Sequence, residues 1–193
     1  MSEENACWEK EIETLPRQDL EKLQIKKVGE TIEKIRHVPF YREKFQTFAV
    51  DPEKIKNIDC IKSLPFTTKD DLRSHWPYGL LAVPGDECVR VHASSGTTGT
   101  AVATFHTERD VDTWSNLVAR CLYGVGVRKG DVFQNMAGYG LFTGGPGFHH
   151  GAQKIGTLTI PIGAGNSRRQ VILMRDFGTT VIHFMPSFAI YQD

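Results

Sequence analysis

The spacing of apolar residues changes along this chain from a helical to a strand-like period. Between residues 17 and 36 the apolar positions recur every three to four residues and fall near one face, which predicts a helix. Pro39 ends or bends that helix, and prolines interrupt short helical pieces over residues 40–72. Thr67 or Thr68 is placed to cap one of these short helices.

The second half of the chain alternates apolar runs with helical stretches. Residues 87–106 are predicted to form two strands joined by a loop. Thr107 opens a helix that runs to about Tyr123, with Asp110 completing the cap. Beyond it we predict strands at 132–137, 157–162 and 179–185, and helices at 148–155 and 168–177.

Two consecutive strand–helix–strand units imply parallel pairing with right-handed crossovers. The apolar content of the later strands favours a sheet covered on both faces. We therefore predict an α/β fold in which a helical N-terminal segment over 1–75 precedes a mixed, partly parallel sheet with flanking helices over 76–193. Because charges are sparse after residue 131 and a further helix is predicted from Pro186 to the end, we interpret the second domain as incomplete.

Composition excludes several classes of partner. The chain has 193 residues with 23 Lys and Arg against 23 Asp and Glu, so no electrostatic case exists for nucleic acid or an anionic membrane. Its four cysteines are scattered without zinc-like spacing, which favours reduced, mostly buried thiols and no metal site. Without a signal peptide or a long apolar run, the sequence predicts a cytoplasmic protein.

A run of hydroxyl and glycine residues follows the first predicted strand and has the composition of a phosphate-binding loop. Glycines let backbone N–H groups converge on an anion, and hydroxyls add neutral donors. It is not the loop of nucleoside triphosphatases, because Thr100 stands where that pattern has lysine and a strand follows instead of a helix. A flexible turn is the alternative. The run consists of Ser94, Ser95, Gly96, Thr97, Thr98 and Gly99.

Residues 91–100 resemble the phosphate-binding motif of the adenylate-forming superfamily, the acyl-CoA synthetases and their relatives. The closer match is the phenylacetate-CoA ligase family. Three further stretches, at 37–42, 64–73 and 138–145, are similar to that family and follow its order. The resemblance spans most of the chain and implies the N-terminal portion of a family member, with the large-domain fold of the adenylate-forming enzymes.

The resemblance implies an AMP-forming ligase that activates an aryl acid with ATP and Mg²⁺ and then transfers it to CoA. Ser94 to Thr100 would hold the β- and γ-phosphates, with the threonine hydroxyls as the main side-chain donors. The family loop often continues with lysine and proline where this chain has Thr100 and Ala101. Losing that cation would weaken phosphate affinity or leave more of the work to magnesium, while the backbone donors remain.

The second glycine-rich stretch is predicted to line the acid pocket, because ligands of open α/β sheets bind just after strands. Tyr139 and Phe142 would form an aromatic wall. Ala137 stands where family members often carry an aromatic residue, so the pocket is wider and a larger aryl or indolyl acetic acid fits as well as phenylacetate. A mobile surface loop is the alternative. The predicted pocket residues are Ala137, Tyr139, Gly140, Phe142, Thr143, Gly144 and Ser187.

His149 and His150 lie at the start of a predicted helix. Adjacent helical residues point about 100° apart, so the two rings cannot easily share one metal ion. We expect one of them to be a core or capping residue and the other to be exposed, with a contact to substrate or phosphate as the alternative.

Two other functions stay open from the sequence. The chain could be a short paralogue without catalysis, or a half-subunit that binds a partner chain through an apolar surface around residues 155–193. It could also be a simple nucleotide-binding module. In the leading interpretation the partners are small molecules only, and a homodimer is possible.

Residues 1–193 alone are expected not to complete adenylation. The family's magnesium-binding acidic residue, its ribose-binding aspartate and its catalytic lid lysine find no match in this sequence, so the catalytic residues are unknown. Pyrophosphate exchange that depends on ATP and acid, measured with purified 1–193, would contradict this expectation.

Overall fold

A computed structural model describes residues 7–94 and 101–187. These residues form two compact units. The first, the helical unit, contains 10–89 and 101–105, and the second, the sheet unit, contains 7–9, 90–94 and 106–187. The domain boundary at residues 75 and 76 stays a prediction.

Short helices joined by prolines and turns make up most of the helical unit. The helix predicted over 17–36 is confirmed, and Pro39 occupies the first position of the next helix, where its missing N–H costs nothing. Thr68, not Thr67, caps the last helix, in a reciprocal capping box with Asp71. The α-helices are α1 Lys10–Glu13, α2 Arg17–Ile35, α3 Pro39–Thr47 and α4 Lys69–Ser74, and the 3₁₀ helices are Pro52–Lys54, Ile58–Ser63 and Gly85–Glu87.

One ion pair ties α3 to α4 within the helical unit. Lys44 Nζ donates to Asp71 Oδ2 over 2.8 Å. The same carboxylate accepts from the backbone N–H of Thr68. These interactions, with Lys44 as the largest, lower the pKa of Asp71 to about 2, so the capping carboxylate stays ionised.

Strands and helices alternate in the rest of the chain. Strands β1 and β2 form a two-stranded sheet, and the division between the two units passes through both. The predicted capping box of Thr107 and Asp110 opens α5. The elements are β1 Cys88–Ala93, β2 Ala103–Thr107, α5 Glu108–Gly124, β3 Val132–Asn135, α6 Gly144–Ile155, β4 Leu158–Ile160, α7 Ser167–Phe177 and β5 Val181–His183.

The predicted parallel pairing is confirmed. β3 lies between β4 and β5 and pairs in parallel with both, in the order β4-β3-β5. One face of β3 carries Phe133, which is fully buried against side chains of α5 and α6. The other face carries Gln134, whose side-chain amide bonds Gln170 of α7. Helices therefore contribute buried contacts on both faces of this sheet.

Three expectations from the sequence are wrong in detail. α6 begins at Gly144 instead of Phe148, because a glycine-rich turn without a side-chain cap gives no start signal in sequence. The outer strands are not covered on both faces: Leu158 is 57% exposed and Ile182 45%. The four cysteines are free, but Cys121 is exposed and the others are half-buried, so they are not core residues.

None of the described helices has both the length and the apolar character needed to cross a bilayer.

Helices α5 and α6 approach closely because α6 carries glycines on the face toward α5. A Cβ atom added at Gly151 would lie 2.6 Å from Cγ1 of Val118 and 3.0 Å from the backbone N of Ala119. Both distances are shorter than ordinary van der Waals contact, and one of the two atoms belongs to the backbone. The packing of α6 over β3 therefore requires glycine at this position.

In Gly151→Ala the added methyl overpacks the contact between α5 and α6, which costs about 1–3 kcal/mol. Alanine normally gains about 1 kcal/mol over glycine in a helix, so the free energy of unfolding should fall by up to about 2 kcal/mol. Urea unfolding of the purified protein measures the difference.

The matched control is Gly124→Ala at the end of α5, where a Cβ would meet nothing within 4 Å. It should be neutral or should stabilise the protein by up to about 1 kcal/mol. Equal effects of the two substitutions would contradict the close approach at Gly151.

Candidate functional site

The candidate site lies at the carboxyl edge of the three-stranded parallel sheet. β3 ends at Asn135 and β5 ends at His183, whose ring Nδ1 lies 2.9 Å from Oδ1 of Asn135. After β4 the chain returns to the same edge, where the N–H of Gly163 donates to the carbonyl of Asn135. The carboxyl edge is where open α/β sheets bind ligands.

The structure brings some of the predicted pocket residues to this edge and leaves others in solvent. Ala137, two residues after the end of β3, is buried, and Tyr139 is half-buried. Phe142 is 66% exposed, so in this structure it does not form a wall with Tyr139. The remaining predicted residues are Gly144, half-buried at the start of α6, and Gly140, Thr143 and Ser187, which are exposed.

Of the predicted phosphate loop, Ser94 is described and exposed, whereas Ser95 to Thr100 lie outside the described residues. The strand that leads into this loop is hydrogen-bonded to the predicted acid-pocket segment, residues 137–144. The carbonyl of Leu141 accepts from the backbone N–H of Ala93 over 3.2 Å and bonds Nδ1 of His92 at 3.0 Å. The residue before Ser94 is thus hydrogen-bonded to the segment that follows Tyr139.

The hydroxyl of Tyr139 is bound on two sides. It accepts from Nδ2 of Asn135 over 2.9 Å and lies 3.1 Å from Nδ1 of His149. Burial raises the pKa of Tyr139, so this hydroxyl keeps its proton and donates it to the histidine. His149 Nδ1 is therefore an acceptor and its ring is neutral, in agreement with a pKa lowered chiefly by burial.

The two adjacent histidines differ from expectation. Both lie inside α6, not at its start, and both are half-buried, because α6 begins earlier than predicted. His150 Nε2 is 3.0 Å from Nη2 of Arg90, and since arginine can only donate, this nitrogen accepts. Burial, then Arg90 and His149, lower the pKa of His150.

A second cluster of rings lies beside the end of β1. His92 is buried, and its ring contacts those of His106 and Trp114 at centroid distances of 5.5 and 5.4 Å. Burial, then His92, lower the pKa of His106. The Nε2 atoms of both histidines are buried and have no hydrogen-bond partner among the described residues.

Glycine at position 145 lets the start of α6 approach the pocket segment. A Cβ there would lie 2.3 Å from the carbonyl oxygen of Gly138, so no other residue fits without a backbone shift. The carbonyl of Gly145 in turn accepts from Asn135 Nδ2 over 2.7 Å. The glycine-rich sequence is explained here by packing, whatever ligand the site binds.

Sequence reasoning missed Arg90, His92, Asn135 and His183. Two of them had a signal: Asn135 and His183 are polar residues within apolar runs that are predicted to be strands of one parallel sheet. Their pairing across 48 residues could not be read from local pattern.

Metal-ligating side chains and cavities elsewhere in the described residues do not add to the candidate site. Among residues 7–94 and 101–187 no group of three His, Cys, Asp or Glu side chains is placed to hold a metal ion. The helical unit has an apolar cavity of about 360 Å³ between α2, α3 and residues 61–67. None of the predicted acid-pocket residues lines it, so its volume does not mark the predicted site.

Comparison with known proteins decides the family. No family model matches the sequence. A phenylacetate-coenzyme A ligase of Thermus thermophilus is 43% identical over 183 residues, which are 94% of this chain and 41% of that protein. The chain belongs to the phenylacetate-CoA ligase family. A Pseudomonas putida phenylacetate-coenzyme A ligase is 44% identical over 154 residues, covering 80% of this chain and 35% of the relative. The chain thus spans about 40% of the length of the Thermus thermophilus ligase.

Solved structures show the same relationship in three dimensions. A 2-hydroxyisobutyryl-CoA ligase in complex with 2-HIB-AMP and CoA, in the thioesterification state, matches 100% of this chain and 42% of that chain, with a TM-score of 0.90 at 29% identity. An open conformation of that ligase, also with 2-HIB-AMP and CoA, gives 0.84 over 93% of this chain and 40% of that chain at 28% identity. The predicted α/β fold of an adenylate-forming enzyme is confirmed.

The neutral histidines predict a loss of stability in mild acid. Burial lowers the pKa values of His106, His149, His150 and His183. As the pH drops below about 6.5, these histidines are protonated more readily in the unfolded chain than in the folded one. The free energy of unfolding therefore decreases as the pH decreases. Urea midpoints at pH 7.5 and 5.5 measure this fall.

A variant isolates the contribution of one ring. His150→Gln keeps an acceptor near Arg90 but cannot be protonated, so the fall in stability between the two pH values should be smaller. His37→Gln, at an exposed position of the helical unit, controls for the substitution. A fall that is unchanged in His150→Gln would contradict the neutral ring.

Proposed function

We propose that the protein containing this chain is an AMP-forming aryl-acetate–CoA ligase. The observation that carries the proposal is the 43% identity to a phenylacetate-coenzyme A ligase over 94% of this chain. The structural likeness to a ligase bound to an acyl-adenylate and CoA supports it. ATP and Mg²⁺ would be the cosubstrate and metal ion, and CoA the acceptor of the acyl group.

The reaction would proceed in two steps. A carboxylate oxygen attacks the α-phosphorus of ATP and pyrophosphate leaves, which gives the acyl-adenylate. The CoA thiolate then attacks the acyl carbon, AMP leaves, and the thioester forms. Neither step needs a covalent nucleophile from the protein, so its contribution is to position two anions and to offset the charge that develops at phosphorus.

This chain would contribute the first contacts to both substrates. The hydroxyls and N–H groups of Ser94 to Thr100 would hold the terminal phosphates as neutral donors, without the lysine that the family often has next. The acid would lie at the carboxyl edge of β3, where buried Ala137 leaves room and Tyr139 presents its ring. The Leu141 carbonyl, bonded to Ala93 and to His92, supports this placement of acid beside phosphate.

The experiment is pyrophosphate exchange into ATP, measured on the whole protein as it occurs in its cells. Exchange should depend on an aryl-acetic acid, with phenylacetate and a two-ring acid compared. Thr97→Val should lower kcat/KM for ATP by about ten- to a hundredfold, since one hydrogen bond to a charged phosphate is lost. Thr113→Val, on the exposed surface of α5, is the control. Exchange without any requirement for an acid would contradict a ligase.

A second candidate function is a non-catalytic half-subunit that binds a separate chain. Leu158 and Ile182 pair with Val132 and Gln134 and so lie on the same face of the sheet, and both are about half exposed. Further exposed apolar side chains in this region are Val171, Ile172, Phe177 and Met185. A stable complex with a second polypeptide during purification, without acid-dependent exchange by the protein on its own, would favour this candidate.

A further inference from the structure

The side-chain amide of Asn135 uses its whole hydrogen-bonding capacity. Nδ2 donates to the hydroxyl of Tyr139 and to the carbonyl of Gly145, over 2.9 and 2.7 Å. Oδ1 accepts from the N–H of Ala137 over 3.3 Å and bonds Nδ1 of His183 at 2.9 Å. The side chain is fully buried, so no water competes for these bonds.

The orientation of this amide is fixed by two of its partners. The carbonyl of Gly145 can only accept and the N–H of Ala137 can only donate, so the amide cannot be flipped. Oδ1 therefore faces His183, and Nδ1 of that ring must carry a hydrogen. Since burial lowers the pKa of His183, the ring is neutral, and Nε2 is left as a bare acceptor.

Nothing among the described residues satisfies that acceptor. Within residues 7–94 and 101–187 the side chain of His183 makes one hydrogen bond, from Nδ1 to Asn135. The half-buried ring stacks on Phe148 with 3.8 Å between centroids, so the imidazole is held in a single plane. By contrast, the hydroxyl of Tyr139 is already bonded to Asn135 and His149. Tyr139 can therefore offer a ligand only the face of its ring.

His183 lies where the acid would bind. It is the last residue of β5, beside the last residue of β3, at the carboxyl edge of the parallel sheet. Its carbonyl accepts from the N–H of Met136 over 2.8 Å, which places it next to the start of the predicted pocket segment. The Asn135 amide joins this ring to Tyr139 in the same pocket.

We propose that His183 is a specificity residue of the acid site, set as a hydrogen-bond acceptor by Asn135, and that it favours aryl acids with an N–H or O–H donor on the ring. The proposal rests on the proposed ligase function. An acid without a donor would cover Nε2 and leave it unsatisfied, which costs affinity, whereas an acid with a donor would pair with it.

The test compares matched acids on the whole protein with ATP and Mg²⁺ present. Indole-3-acetate and benzofuran-3-acetate differ in a ring N–H against a ring oxygen, and 4-hydroxyphenylacetate and 4-methylphenylacetate differ in a hydroxyl against a methyl of similar size. Calorimetric Kd values, with a non-hydrolysable ATP analogue, and kcat/KM values are both measured. The donor-bearing acid of at least one pair should be preferred by about tenfold.

Two variants separate recognition from packing. His183→Phe keeps a flat ring against Phe148 but removes both nitrogens. The two acids of a pair should then bind with about equal affinity. Tyr139→Phe removes one of the two acceptors of Asn135 Nδ2, while Gly145 and Ala137 still fix the amide and with it the His183 tautomer. Affinity for both acids of a pair should therefore change together, and their ratio should stay the same.

The outcomes distinguish this inference from the proposed function. Equal affinity of the unaltered protein for both acids of each pair overturns the role of His183 and leaves the ligase standing, and this measurement needs no variant. A preference that survives in His183→Phe overturns it as well. If no acid binds in the presence of the nucleotide, the proposed ligase function is contradicted, and so is the specificity role of His183.

Discussion

Parallel pairing of β3 with β4 on one side and β5 on the other places the last residues of three separated segments at one edge of a sheet. Two contacts of the candidate site depend on that pairing. Asn135 can bond His183 because β3 and β5 run in the same direction and end together. Gly163 reaches the Asn135 carbonyl because β4 ends at the same edge. An antiparallel arrangement of the same sequence would send one of these residues to the opposite edge.

Local signals explain which parts of the fold could be predicted. α2 was found from the period of its apolar residues, and α5 from its capping box of Thr107 and Asp110, because both signals lie within a few residues of the element they define. The start of α6 was missed for the opposite reason. Its first turn is rich in glycine and has no side-chain cap, and it is held by packing against α5 and the backbone of Gly138.

The site divides in the same way. Tyr139 and Ala137 were predicted from a motif, and the structure brings both to the sheet edge. Phe142 belongs to the same motif but lies in solvent, since a motif gives order along the chain and not side-chain direction. Arg90 and His183 escaped notice because their partners, His150 and Asn135, lie 60 and 48 residues away. Pairings over such distances follow from topology, which a single sequence specifies only through the completed fold.

The shared carbonyl of Leu141 has a consequence for how two ligands would influence each other. It accepts from the N–H of Ala93, the residue before Ser94, and bonds the ring of His92. Leu141 itself belongs to the segment that carries Tyr139. A ligand that stiffens one of these segments removes conformational freedom from the other, and the second ligand then loses less entropy on binding. Thermodynamic linkage makes such an effect reciprocal, so a nucleotide and an acid bound as proposed above would each strengthen the binding of the other by the same factor. A single hydrogen-bonded carbonyl would thereby act as a coupling element between two sites without any large movement of the chain.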